Sequence, residues 1–419
     1  MTRGVAAVEV FVSLAGHDVR VGRLTREPRR GFEAVGFSYA EAWLEHTDRY
    51  ALQPGLVLAP GTYAPPAGRA VFGAIGDSAP DTWGRTLLRR AERSAARREG
   101  RPVRTLQELD FLLGVADVAR SGALRFRWEG GERFEAPAPD GVPSIVHVRR
   151  LLEASDRTLR MAESDEDLRL LLAPGSSLGG ARPKASVIDA DGGLSIAKFP
   201  KEHDEYPLER WEAVALRLAA RSGITAASAR AMEVAGRIAL IVRRFDRVGE
   251  RRIPYLSAMA MLDRADGDRA SYPEIADAIA RYGAQADEDR RELYRRLAFN
   301  VLVSNVDDHL RNHGFLWDGR EGWRLSPAFD LNPTPVDVRE RRLTTSIDLE
   351  DGTCDLDLVL AVAPFFGLGE REARSLIRGV ADGVSAWRAV ASELGAGRSE
   401  IERMSSAFDH DDARAAARL

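Results

Sequence analysis

Asn305-Val306-Asp307-Asp308-His309-Leu310-Arg311-Asn312, then Phe315-Leu316-Trp317, a turn at Asp318-Gly319, Trp323-Arg324-Leu325 and Ser326-Pro327-Ala328-Phe329-Asp330, is the stretch on which the reading of this chain turns. Moving a phosphoryl group to a hydroxyl calls for a carboxylate aimed at the acceptor proton. It also calls for oxygen ligands that hold one or two cations against the phosphates. Asp307 suits the first task, and Asn312 and Asp330 suit the second. The apolar run from Leu297 to Val303 predicts a buried helix that leads rigidly into the loop. Alternation on both sides of Asp318-Gly319 predicts two short strands, which would carry Asp330 back beside Asn312.

Asp307 and Asn312 keep the spacing of the catalytic loop H-R-D-x-x-x-x-N, and Asp330 stands where the Asp of D-F-G would. The His-Arg before Asp307 and the Phe-Gly after Asp330 are missing. Upstream, Gly175-Ser176-Ser177-Leu178-Gly179-Gly180-Ala181-Arg182-Pro183-Lys184 supplies a backbone whose amides can approach phosphate oxygens. Ala181 stands where a Walker A loop needs Lys, so this is not that motif. Ala185 to Ile188 and Leu194 to Lys198 then read as a hairpin that ends with Lys198 in an apolar strand. A lysine there needs an anionic partner, because its ammonium is costly to desolvate. Glu212, in a segment of helical periodicity from Glu209 to Leu218, is the candidate. The order Gly loop, Lys, Glu, Asp, Asn, Asp is what gives these individually common residues weight.

In this order the chain resembles the HipA family of serine/threonine kinases, the toxins of bacterial toxin–antitoxin pairs. The resemblance rests on Ser177 to Lys184, Ala197-Lys198-Phe199-Pro200, Arg244-Phe245-Asp246-Arg247, Asn305 to Asn312 and Phe329-Asp330. It extends to Asp77-Ser78-Ala79-Pro80-Asp81 and Ser121-Gly122-Ala123-Leu124 in the first third. It implies an α+β, protein-kinase-like bilobal fold: a strand-bearing N-lobe and a helical C-lobe behind a leading α+β domain. It implies ATP and Mg²⁺ as cofactors, with Asp307 as catalytic base and Asn312 and Asp330 as metal ligands. Lys198, positioned by Glu212, would contact ATP beneath Ser177, Gly179, Gly180 and Ala181, with the nucleotide hinge at Arg243, Arg244 and Phe245. Ser177, or Ser176 beside it, would be autophosphorylated, and a phosphate there would repel incoming ATP. His309 would either hydrogen-bond the transferred phosphate or brace the loop. By the same resemblance the substrate is a protein, such as an aminoacyl-tRNA synthetase, and its modification arrests growth. The partner is a small helix-turn-helix antitoxin of HipB type, with DNA reached only through it. A catalytically inactive scaffold that acts as co-repressor with such a partner is the alternative.

Two residues depart from the family pattern. Asp308 sets a second carboxylate beside Asp307, expected either to raise the pKa of one of the pair or to add a cation contact. Arg243 stands at a hinge position where acidic residues are frequent in the family. A rival reading uses Asp308, His309 and His313 as ligands of a transition metal in a phosphohydrolase.

The 419 residues, 44% of them hydrophobic, can form several cores, and the expected division is 1–140, 141–250 and 251–419. Cys354 is the sole cysteine, which fits a reducing cytoplasm and excludes an intrachain disulfide framework. A net charge of −4 argues against this chain gripping nucleic acid by itself. No membrane-spanning apolar run and no signal-peptide pattern is expected. Helices are predicted over 80–98, 145–172, 272–282, 287–304, 356–363 and 370–390, with a frayed tail over 409–419.

Overall fold

Alternating apolar residues at the start of the chain form a strand pair: Ala7–Leu14 runs antiparallel to His17–Arg29. Ala15 and Gly16 join them at φ 48° and 86°, the two left-handed positions that a tight hairpin turn demands. A computed structural model of the chain describes residues 7–29, 32–135, 141–172 and 180–419. They fall into two units: Met1–Glu202 with Val234–Gly236 and Asp246–Leu256, and His203–Glu233 with Arg237–Phe245 and Ser257–Leu419.

In the first unit, Phe32–Tyr39 and Leu124–Trp128 complete a four-stranded antiparallel sheet, with Phe32–Tyr39 and Leu124–Trp128 at its edges. Val8, Val10, Val12, Phe37 and Phe126 are fully buried in it. The helix Thr82–Glu99 starts at Asp81, whose carboxylate accepts from Gly84 N at 2.7 Å, and ends at Gly100 in the left-handed conformation, φ 62°. The predicted helix over 145–172 divides into Val148–Leu159 and Asp165–Leu172. A reciprocal cap restarts it: Ser164 N donates to Asp167 at 2.9 Å and Asp167 N to Ser164 Oγ at 3.1 Å. The hairpin Lys184–Ile188 and Leu194–Lys198 forms as predicted, with Lys184 directly opposite Lys198.

In the second unit, the helix Ala286–Leu302 is the central element, packed on Tyr272–Tyr282 and Glu370–Ser385. Leu293, Tyr294, Leu297, Ala298, Phe299, Val301 and Leu302 are fully buried along it. The helix Leu208–Arg221 brings Trp211 to Trp387 and Phe408, and the last two rings stack at 4.6 Å. The strand Arg237–Arg243 ends on the first of the expected hinge residues, and Gly314–Trp317 pairs with Trp323–Leu325 as predicted. The tail departs from expectation. Asp411–Ala416 is helical, because Asp412 accepts from Leu356 N at 3.0 Å and Arg341 Nη1 at 2.7 Å while Ala416 is wholly buried. Among the described residues no helix is long and apolar enough to cross a membrane.

Candidate active site

The loop after Ala286–Leu302 begins with a reversal at Ser304, a non-glycine residue at φ 51°. Ser304 is held there from three sides: Arg341 Nε donates to its hydroxyl, the hydroxyl donates to Ala407 O, and Thr334 N donates to its carbonyl. Asp307 is exposed, 59% for its side chain, and pairs with Arg339 at 3.2 Å. Asn312 Nδ2 donates to the Asp307 carbonyl at 2.9 Å, so candidate base and candidate ligand belong to one closed turn. That donation commits the amide nitrogen inward and leaves the oxygen as the group Asn312 can present to a cation.

Asp330 follows the hairpin in the left-handed conformation, φ 56°, a strained backbone for an aspartate. Asn332 ties it to the loop: its Nδ2 donates to Asp330 Oδ1 at 3.0 Å and its backbone N to Asn305 Oδ1 at 2.9 Å. Carboxylate and amide oxygens are hard donors of the kind magnesium takes, so Asn312 and Asp330 fit that ion by chemistry. Phe329 lies against Phe245, one of the expected hinge residues, ring centroids 5.4 Å apart. Arg243 is half-buried at the end of its strand, and Arg244, just past it, is buried.

Asp308 shows the raised pKa expected of one member of the pair, but for a different reason, and it does not face a cation site. It is 1% exposed and turned into the core, where Tyr272 OH donates to Oδ2 at 2.8 Å and Thr344 N and Thr345 N donate to Oδ1 at 2.8 and 3.2 Å. Its pKa is raised, to about 7, but burial is the cause and Asp307 is not; the three donors pull the other way. His313 is buried as well, its Nε2 against the Asp308 carbonyl, and burial lowers it to about 3. Asp308, His309 and His313 therefore do not converge, which removes the transition-metal reading. Among the described residues no group of three or more His, Cys, Asp or Glu side chains could hold a metal ion. His309 is half-buried, and its Nδ1 is buried with no hydrogen-bond partner among the described residues. It borders a cavity of about 380 Å³ shared with Arg311, Thr344 and Thr345.

The remaining candidates divide between the units. Glu212 is 3% exposed on Leu208–Arg221 in the second unit. Lys198 is half-buried at the end of its strand in the first, which also holds Gly180 and Ala181. Ser176, Ser177 and Gly179 lie outside the described residues. Gly180 has φ 116°, a backbone that favours glycine, and a Cβ there would stand 3.0 Å from Lys184 Nζ, a tight contact.

Sequence reasoning missed Tyr272, Asn300, Asn305 and Asn332. The available signal was Asn300, a lone amide inside Leu297-Ala298-Phe299-Asn300-Val301-Leu302-Val303, since a buried amide must find partners.

Comparison with known proteins gives a consistent result. Residues 176–388 match the family described as HipA-like C-terminal domain. The protein named Putative kinase Y4mE from Sinorhizobium fredii is 28% identical over 344 residues, covering 75% of each chain. A protein named Putative kinase from Haemophilus influenzae is 26% identical over 182 residues, covering 38% of this chain and 52% of its own. Among solved structures, a chain from the HipA, HipB and operator DNA complex of the Shewanella oneidensis MR-1 toxin–antitoxin system superposes with a TM-score of 0.67. That chain is 17% identical, and the match covers 98% of this chain and 96% of the other.

Proposed function

Because the chain belongs to the HipA-like C-terminal domain family, we propose that it is an ATP- and magnesium-dependent serine/threonine kinase of the HipA toxin type. The observation that carries the reading is the pairing of an exposed carboxylate, Asp307, with two oxygen ligands on loops bonded to its own, Asn312 directly and Asp330 through Asn332. An acceptor hydroxyl attacks the γ-phosphorus, the bond to the bridging oxygen breaks, ADP leaves, and the hydroxyl proton passes to Asp307. Bound magnesium supplies neutralisation of charge on the phosphates. Arg339, 3.2 Å from Asp307, limits where that carboxylate can point, and Asn312 keeps the turn beneath it closed. Lys198 and Glu212 are read as the cation for the phosphates and its partner, with Arg243, Arg244 and Phe245 at the hinge.

The same reading makes Ser177 or Ser176 the site of self-modification. The acceptor is a protein hydroxyl, with an aminoacyl-tRNA synthetase as the substrate implied by family resemblance, and growth arrest as the outcome. It assigns a HipB-type antitoxin as partner. Its support is that the solved relative of the same fold is found with HipB and operator DNA. The test is incubation of wild type and Asp307→Asn with labelled ATP and cell lysate, followed by phosphosite mapping. Label on a lysate protein and on Ser176 or Ser177 with wild type alone is expected. Equal labelling by the variant would defeat the assignment of Asp307, and no labelling with wild type would defeat the kinase reading.

A further inference from the structure

We propose that Tyr272, Asn300 and Asn305 form a buried hydrogen-bonded relay that sets the metal-ligand loop against the base-bearing loop, making them positioning residues for the reaction. The inference rests on the kinase reading of Asp307 and Asp330. Its links run in one direction. Asn332 N donates to Asn305 Oδ1 at 2.9 Å, Asn305 Nδ2 to Asn300 Oδ1 at 3.0 Å, Asn300 Nδ2 to Tyr272 OH at 2.8 Å, and Tyr272 OH to Asp308 Oδ2 at 2.8 Å. One end is bonded to Asp330 through Asn332 Nδ2; the other is the residue that follows Asp307.

Three features distinguish this chain of contacts from ordinary core polarity. Tyr272, Asn300, Asn305 and Asp308 are at most 2% exposed, so none of the three links among them can be replaced by bulk water. Each donor points at the next acceptor, so each bond polarises its neighbour and one break is felt along the whole row. The elements joined are the start of the helix Tyr272–Tyr282, the end of Ala286–Leu302, and the two loops that carry the chemistry. Both helices are anchored in the apolar core of the second unit, which makes them a rigid frame. Asp308 closes the row by holding Thr344 N and Thr345 N, while Thr344 Oγ1 donates to Val306 O at 2.9 Å. Base and metal ligand are thus referred to the same two helix ends.

The perturbation that separates positioning from bulk stability is Tyr272→Phe. It deletes one hydroxyl, touches neither Asp307 nor Asp330, and interrupts the row at its centre. Expected are a fall in kcat of about a hundredfold and a rise of about tenfold in the magnesium concentration for half-maximal activity. Hydrogen exchange should quicken together in peptides covering 304–312 and 326–334. A purely structural role would lower the melting temperature but leave magnesium half-saturation of the folded enzyme, and exchange at 326–334, as in wild type. That result overturns the relay. Asn332→Ala, at the half-exposed end, keeps the fold accessible to test. It removes the Nδ2 bond to Asp330 but keeps the backbone N–H to Asn305, so the row itself stays intact: magnesium half-saturation should rise while exchange over 304–312 stays near wild type, and unchanged half-saturation counts against the relay. If wild type labels no protein, the kinase reading fails and the paired exchange measurement alone decides whether the two loops are coupled.

Discussion

Asp81→Asn is the sharpest perturbation of the first unit. Asp81 and Lys184 are 2.8 Å apart with side chains 2% and 4% exposed, and Trp83 Nε1 donates to the Lys184 carbonyl at 3.1 Å. The start of the helix Thr82–Glu99 therefore grips both the side chain and the backbone of the first residue of the hairpin that follows the Gly-rich segment. Lys184 and Lys198 are cross-strand partners, and directly opposed like charges are unfavourable. The Asp81 carboxylate offsets that conflict. Asparagine can still cap the helix at Gly84 N, so the substitution isolates the charge. Removing one member of a buried pair costs about 3–5 kcal/mol. At about 2–4 °C per kcal/mol for a unit of this size, that is a drop of about 6–20 °C in melting temperature. Asp81→Ala should cost about 1 kcal/mol more, since it also loses the cap. Urea unfolding of wild type, Asp81→Asn, Lys184→Met and the double variant completes a cycle in which the double variant recovers most of the loss. An Asp81→Asn protein within about 1 kcal/mol of wild type, or a double variant as unstable as the sum of its parts, would refute the account of this pair.

Three further outcomes follow from the second unit. Asp307→Asn should lower phosphoryl transfer by about 10² to 10⁴-fold with ATP affinity nearly intact; a lost nucleotide signal in calorimetry would place Asp307 in binding instead. Asp330→Asn should weaken magnesium-dependent nucleotide binding by about ten- to a hundredfold, read by titration with and without the metal, and equal affinities would remove Asp330 from the ligand set. Asp308, raised by burial to about 7, keeps its proton in the folded chain over a range where an unfolded aspartate has lost it. Between about pH 4 and 7 the folded state binds more protons, so its contribution to stability is present below that window and declines as pH rises, by up to about 1.4 kcal/mol per pH unit. Asp308→Asn should flatten this segment of a urea-derived stability profile, and an unaltered slope would assign the titration elsewhere.

The local structure around the candidate site was legible because its residues obey local rules. The apolar run before Asn305 forms the buried helix end it predicts, and alternation around Asp318-Gly319 gives the hairpin that returns the chain to Asp330. What escaped was the direction of side chains. Asp307 and Asp308 are adjacent carboxylates in sequence, yet one is 59% exposed by side chain and the other is buried by Tyr272 and by two amides some 36 residues away. Nothing in a linear pattern separates them. The break between Val148–Leu159 and Asp165–Leu172 did carry a signal, Ser164 with Asp167 three residues on, but continuous hydrophobic periodicity masked it. The ordered tail depended on Asp412 meeting Leu356 N and Arg341, contacts that span long stretches of chain.

Two left-handed residues bracket the chemistry: Ser304 opens the loop that carries Asp307, and Asp330 ends the hairpin. Each costs about 1–3 kcal/mol, a penalty that persists only where surrounding contacts over-determine the backbone. That surplus is visible at Ser304, where Arg341, Ala407 and Thr334 all bond to one residue, and at Asp330, where Asn332 bonds both the carboxylate and the relay. Thr334 N to Ser304 O, at 3.0 Å, joins the segment after one reversal to the residue that makes the other. A relaxed backbone at either point would let its loop drift independently. Holding both reversals from neighbouring segments, joined by Thr334 N to Ser304 O, ties the backbones that carry Asp307 and Asp330 to the core, which is what the proposed chemistry, dependent on a fixed distance between proton acceptor and metal ligand, would require.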